Sequence, residues 1–373
     1  MIVLQLVKTS IGGNWALRQM IELVKLGVEV HVALPTDGPL INQYVENGIR
    51  VHELNYSLKN IFRSAKGLRR IVHEVSPDII HSNFVITTII MRLALRDKKI
   101  PRVFQVPGPL HLENWFFRNL DIMLAQKCDY WIGSCQWTNR RYIQSGVSEK
   151  RLFHSNFGID IDFNRQYQKG LLRQELGLHK TDFIFGLVAY MYAPKYFLGQ
   201  RRGIKGHEDF IDAITIVSQK YPNVYGVCIG GPATPSAKKY ESKIIKYSNS
   251  KTNHMFFLGT RTNPLDLYQD FDCAVYPSHS ENLGSACDAL LFKIPTIATS
   301  VGGLPDLVIN KETGLLVPSK NPIALALAME QVINGEVTDE MCAAGRNLVI
   351  STLQNKDTTR NLFNIYKTII EIN

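Results

Sequence analysis

The chain has 373 residues, 45% of them hydrophobic and 20% charged, which is enough for two domains with separate cores and excludes a disordered chain. The net charge is +9, and residues 1–165 hold 21 Lys and Arg against 14 Asp and Glu; such a surface meets anionic lipid or is simply a set of solvated helix faces. The six cysteines have no metal-ligand or redox spacing, no apolar run reaches membrane-spanning length, and no basic motif interleaved with aromatics points to nucleic acid.

Residues 1–7 are an apolar strand without the flank or cleavage site of a signal peptide, so a cytoplasmic protein is expected. Residues 9–13 make a turn ending in Gly12-Gly13, and 15–26 have helical spacing that Gly27 ends. Strands are then expected at 28–34, 49–54, 77–81, 102–106 and 130–134, with helices at 39–47, 58–75, 85–95 and 115–128. Strands alternating with helices predict a parallel doubly wound sheet with ligands at the carboxyl ends of its strands. The periodicity pauses after 153–160 and then restarts. Strands are expected at 183–189, 224–230, 255–258, 273–276 and 295–299, and helices at 207–220, 237–249, 264–271 and 285–293. A tail of helical spacing covers 353–372. The fold class is α/β with two Rossmann-like domains, 1–165 and 166–352, and a C-terminal helix, 353–373.

The candidate chemistry lies at strand ends. Glu281 and Asp288 bracket the expected helix start near Ser285. Unpaired N–H groups and the positive dipole end suit a phosphate there, and carboxylates accept hydrogen bonds from hydroxyls. Phosphate beside hydroxyls describes a sugar nucleotide. The same two acids also fit a general acid/base pair, or surface carboxylates stabilised by the helix dipole. Arg201, Arg202 and Lys205 occupy a glycine-bearing loop after a strand, which suits a diphosphate as well as a solvated basic loop. Gly12-Gly13 allows backbone to approach a phosphate, or makes a tight turn. No acid ends the second strand, where Val32-Ala33-Leu34-Pro35 stands, so NAD is disfavoured. His111 follows a strand and fits either a ligand contact or a structural loop histidine; His81 and His279 read as structural. No Asp-x-Asp after a strand, HExxH, Cys/His cluster or GxSxG occurs, so no metal is expected.

Taken together, Gly12-Gly13, Pro77-Asp78-Ile79-Ile80-His81, Gly158-Ile159-Asp160, Lys205-Gly206-His207 and above all the stretch 276–308 resemble the retaining GT-B glycosyltransferases of the bacterial group 1 branch, family four. The likeness spans nearly the whole chain. It implies two domains facing a cleft, with the acceptor on the first, the nucleotide sugar on the second, and the C-terminal helix crossing back to the first. It implies metal-independent transfer from a nucleotide diphosphate sugar, expected to carry UDP, to a glycan or lipid-linked acceptor with retention at the anomeric carbon. Surface polysaccharide synthesis (O-antigen or capsule), peripheral contact with the inner membrane from the cytoplasmic face, no cofactor and no nucleic acid complete the expectation.

Position by position, the resemblance gives Glu281 the donor-sugar hydroxyls and Asp288 the ribose. The amides of Asn282, Leu283 and Gly284 would face the diphosphate or sugar, and Lys205 the diphosphate, with Arg201 or Arg202 standing in for the family's arginine. His111 matches the histidine at the sugar and reaction centre, and Gly13 would lie under the diphosphate or the acceptor. Six residues separate Glu281 from Asp288, one fewer than is common in the family, and the second acid is Asp rather than Glu. The alternatives are an epimerase or phosphorylase on the same fold, or a non-catalytic nucleotide-sugar-binding module.

Overall fold

Two sheets, each parallel throughout, carry the chain. The structure is a computed structural model and describes residues 1–162, 166–196 and 199–373. It divides into two units, Met1–Ile161 with Thr352–Asn373, and Asp162–Ser351. Residue 165, where the sequence puts the first boundary, lies outside the described residues.

In unit 1 the order is β1 (Ile2–Leu6), α1 (Asn14–Lys25), β2 (Glu29–Leu34), α2 (Ile41–Glu46), β3 (Arg50–Glu53), α3 (Ile61–Val75), β4 (Ile79–Ser82), α4 (Val85–Ala94), β5 (Arg102–Gln105), α5 (Leu110–Glu113), α6 (Trp115–Met123), β6 (Asp129–Gly133), α7 (Gln136–Gln144) and β7 (Leu152–His154). The sheet runs β3-β2-β1-β4-β5-β6-β7. Val3, Leu4, Leu6, Ile79 and Ile80 are wholly buried, as expected of apolar runs in a parallel sheet covered on both faces. The helix expected at 115–128 stops at Met123.

In unit 2 the order is α8 (Leu171–Leu176), β8 (Phe183–Val188), α9 (His207–Lys220), β9 (Val224–Ile229), α10 (Lys238–Asn249), β10 (Met255–Phe257), α11 (Pro264–Leu267), β11 (Cys273–Tyr276), α12 (Ala286–Leu291), β12 (Thr296–Thr299), β13 (Leu315–Val317), α13 (Pro322–Ile333) and α14 (Asp339–Leu353). Its sheet runs β10-β9-β8-β11-β12-β13. The central strand β11 is buried at every position.

The last helix, α15 (Asn355–Ile372), packs on unit 1. Leu362, Ile365, Tyr366 and Ile369 share a core with Val3, Leu17 and Met20; each buried aliphatic side chain there contributes about 1.5–3 kcal/mol. The Tyr366 hydroxyl accepts from Gln5 Nε2 at 3.0 Å and bonds His81 Nδ1. The tail is joined to the body at Ile159, whose N–H donates to the Leu353 carbonyl at 2.8 Å while its carbonyl accepts from the Asn355 N–H at 3.0 Å.

Candidate active site

In unit 2 the strand order reverses between β8 and β11, the crevice where open α/β sheets take ligands. Two segments meet there: 199–206, which leads into α9, and 277–285 after β11. Gly206 brings them together. Its φ is +71°, and a Cβ on it would collide with the Pro277 carbonyl, so only glycine permits this approach. One residue earlier, Lys205 forms an ion pair with Glu281, their side chains only 16% and 12% exposed. Ser278 Oγ donates to the same carboxylate at 3.3 Å, and the Asn282 N–H donates to its other oxygen at 3.1 Å. Gly284, at φ +56°, lies so close to this carboxyl that a Cβ would be 2.9 Å from its carbon.

A cavity of about 270 Å³ opens beside this pair, walled by Tyr190, Tyr192, Gly230, Arg261 and Ser285. Ser285, at the start of α12, makes no capping bond to its own helix; it donates its hydroxyl to the Val188 carbonyl at 2.5 Å and so fixes the start of α12 to the end of β8. Asp288 sits half-buried in the first turn of α12. Burial, with Asp288 beside it, pushes the Tyr268 phenol well up, and the Tyr276 hydroxyl donates to the Ser285 carbonyl at 2.9 Å.

The two candidate arginines differ. Arg202 is ion-paired to Asp209 and, at 2.9 Å, to Asp212. Burial opposes its charge, but the two carboxylates hold it firmly protonated. His279 bonds Asp209 as well, and its N–H donates to the Ile204 carbonyl at 2.7 Å. Arg202 is thus a strut between the loop and α9, whereas Arg201 is exposed and makes no ion pair among the described residues. Sequence reasoning missed Arg261, Tyr190 and Tyr192. Arg261 follows β10, and the strand-end rule would have singled it out; it pairs with Glu175, and its Nε is buried without a partner.

Unit 1 holds the other two candidates. Gly12 takes the positive φ of the turn, +69°. Gly13 caps α1, its carbonyl accepting from the Ala16 and Leu17 N–H groups at 3.0 and 3.2 Å. His111 lies in α5 and is 8% exposed. Its Nε2 is 3.3 Å from the Tyr142 hydroxyl, which donates to Asp121 at 2.9 Å. Burial works against the Asp121 charge, but Arg92 at 2.5 Å and then His111 hold its carboxyl down to about 2. With the Tyr142 proton directed at Asp121, the chain of bonds closes when His111 carries its proton on Nε2, leaving Nδ1 as an acceptor.

The family described as Glycosyltransferase Family 4 matches residues 12–163, and that described as Glycosyl transferases group 1 matches 195–347. The chain belongs to the group 1 glycosyltransferases. It is 24% identical to the capsular polysaccharide biosynthesis glycosyltransferase CapM of Staphylococcus aureus, over 95% of this chain and 94% of CapM. A D-inositol 3-phosphate glycosyltransferase of Corynebacterium diphtheriae is 30% identical over 38% of this chain and 34% of its own length. Among solved structures, the Anabaena protein HepE in complex with UDP-glucose superposes with a TM-score of 0.81 at 18% identity, covering 99% of this chain and 100% of HepE. Sucrose-phosphate synthase from Thermosynechococcus elongatus gives 0.80 at 17%, with both chains covered in full. These likenesses show the GT-B fold for this glycosyltransferase. Among its described residues no group of three or more His, Cys, Asp or Glu is placed to hold a metal ion, and no helix is long and apolar enough to cross a membrane.

Proposed function

We propose that this glycosyltransferase moves a hexose from a UDP-sugar to a glycan or lipid-linked acceptor, with retention at the anomeric carbon, in the synthesis of a surface polysaccharide. The observation that carries the proposal is the Lys205–Glu281 pair on the wall of the cavity at the β8/β11 switch point. An ammonium beside a carboxylate, with hydroxyl and amide donors around them, matches a ligand that is anionic at one end and hydroxylated at the other. CapM supports the polysaccharide and HepE the uridine nucleotide, as likenesses.

In this reading Lys205 takes the diphosphate and stabilises its charge as the bond from the anomeric carbon breaks. The amides of Leu283 and Gly284 add hydrogen bonds to it, and Asp288 accepts from the ribose. Arg201 is the arginine for the diphosphate, since Arg202 is neutralised by Asp209 and Asp212. Glu281 accepts from the sugar hydroxyls and His111 orients the reacting sugar. The acceptor hydroxyl attacks from the face that the diphosphate leaves, and a diphosphate oxygen takes its proton. No metal takes part in this route.

The test is a calorimetric titration with UDP and a panel of UDP-sugars, followed by NMR of the product's anomeric proton. Tight UDP binding with transfer that needs acceptor, and a product of unchanged anomeric configuration, is expected. Nucleotide release without acceptor would instead indicate an epimerase or hydrolase, and inversion would remove the retaining mechanism.

A further inference from the structure

The outer face of α3 is a part of the molecule that the donor site does not use. Its inner side buries Leu68, Ile71, Val72 and Val75. Its outer side presents Phe62, Arg63, Lys66, Arg69 and Arg70 in one stripe at helical spacing, all exposed. Phe62 is 89% exposed, and Leu58, in the loop just before the helix, 58%. Arg69 pairs with Asp97, and Arg70 lies 3.7 Å from Glu74. Arg63 and Lys66 have no acidic partner among the described residues.

Two further observations extend the patch. A cavity of about 530 Å³ opens between the end of β3 and the first turns of α3, lined by Glu53, Ser57, Asn60, Arg63, Lys66 and Arg70, three cations against one carboxylate. Its lining offers cations, hydroxyls and amides to a phosphate-bearing group. Across the same edge of the sheet, at the start of α6, Trp115 and Phe116 are 68% and 57% exposed. β3 and β5 are four strand spacings apart in this sheet, about 19 Å. The edge therefore carries aromatic side chains at two points and cations at the first of them.

We propose that this edge of unit 1 docks on an anionic phospholipid bilayer. Phe62 and Leu58 enter the boundary between headgroups and acyl chains, while Arg63, Lys66 and Arg70 hold lipid phosphates. Apolar area gives depth and cations give attraction to the charged surface, the two requirements of interfacial binding. Self-association fits less well, because a two-fold contact through this face would bring like charges together. A nucleic acid would use the cations and leave Phe62 and Leu58 in water. The inference rests on the proposed lipid-linked acceptor, which brings the enzyme to a bilayer, and it extends that reading by naming the face that meets the membrane.

The test sediments the full-length protein with vesicles of phosphatidylglycerol and phosphatidylcholine in equal parts, and with phosphatidylcholine alone, at low and high salt. Binding to the anionic vesicles only, weakened by salt, is expected. The triple variant R63Q/K66Q/R70Q should lower the partition on the order of a hundredfold, and Phe62→Ser roughly tenfold. UDP binding, measured on the same proteins by calorimetry, should be unchanged by these substitutions. A wild-type protein that binds UDP but stays in the supernatant overturns the docking face and leaves the donor reading standing; one that sediments but does not bind UDP does the reverse. Equal binding to both vesicle types, variants that partition like wild type, preference for duplex DNA over vesicles, or a dimer without vesicles that Phe62→Ser dissolves each overturns the proposal.

Discussion

The ammonium of Lys205 and the carboxylate of Glu281 are ion-paired, so the groups proposed for the two ends of the donor lie in mutual contact. A diphosphate must draw Lys205 away from Glu281. Glu281→Gln weakens that competition, and we predict that it binds free UDP more tightly, roughly fivefold, while transfer falls on the order of a hundredfold. Calorimetry and initial rates on one protein preparation check both. Weaker UDP binding in this variant would count against the competition.

The contrast between the two arginines gives a second prediction. Arg202→Ala leaves Asp209 and Asp212, 4% and 14% exposed, without their main cation. With Arg202 itself 35% exposed, the cost should be about 1–3 kcal/mol, read as a lowered Tm. Arg201→Ala should change stability by less than about 0.5 kcal/mol and weaken UDP binding roughly tenfold. If Arg201→Ala binds UDP like wild type, the diphosphate has no arginine from this loop.

Two glycines with positive φ separate backbone strain from collision. At Gly12 an added Cβ meets nothing within 4 Å, whereas at Gly206 it runs into the Pro277 backbone. Gly12→Ala should cost about 1 kcal/mol, the strain of the left-handed region alone. Gly206→Ala should cost more than about 3 kcal/mol and displace Lys205, with loss of UDP binding. Equal Tm shifts in the two variants would mean that the segments 199–206 and 277–285 are not held together at this glycine.

Buried histidines set the response to acid. Burial lowers His81 to about 3, and burial with Lys205 nearby lowers His207 to about 4. Both stay neutral in the folded protein below pH 6.5, where the unfolded chain takes up their protons. The unfolded state then binds more protons, so stability falls as pH drops, by up to about 1.4 kcal/mol per pH unit for each histidine between 6.5 and the folded value. Asp121, held at about 2, adds to the loss only below about pH 4. Tm measured from pH 7 to 4.5 should decline steadily, and His81→Gln should flatten the slope. A level Tm over that range in the wild type is the contrary result.

His111 gives the last prediction. Its Nε2 is 3.3 Å from the Tyr142 hydroxyl, which donates to Asp121, and 3.6 Å from the Asp121 carboxylate itself. Tyr142→Phe should keep the fold, leave Asp121 as the one polar partner of His111 Nε2 and lower kcat/KM about tenfold with little change in UDP affinity. The imidazole nitrogen shifts of His111 should move with it; unchanged shifts and rates would make Tyr142 a packing residue only.

The alternation of strands and helices was legible because parallel strands buried on both faces are short apolar runs, as β1, β4 and β11 are. Helix α7 was not, since only Thr138 and Tyr142 of its nine residues are buried and no apolar stripe marks it. β7 is half-buried throughout and only three residues long. At the site, residue types at strand ends pointed to Lys205 and Glu281, and the glycines between them mark where the segments touch. What spacing could not tell was which arginine is neutralised. That depends on Asp209 and Asp212, which sit within the first turns of α9 and read in the sequence as ordinary helix acids. Nor could it foresee that Ser285 bonds a strand carbonyl rather than its own helix.

Unit 1 is assembled from the two ends of the chain, with all of residues 162–351 between them. A chain leaving the ribosome can complete the second unit while the first still lacks α15. Until Tyr366 arrives, Gln5 and His81 have no phenol to bond, and Leu17 and Met20 have no opposing layer at that face. The earlier segment of unit 1 therefore waits for the later one. Until α15 has been made, unit 1 has an open core while unit 2 can already be whole.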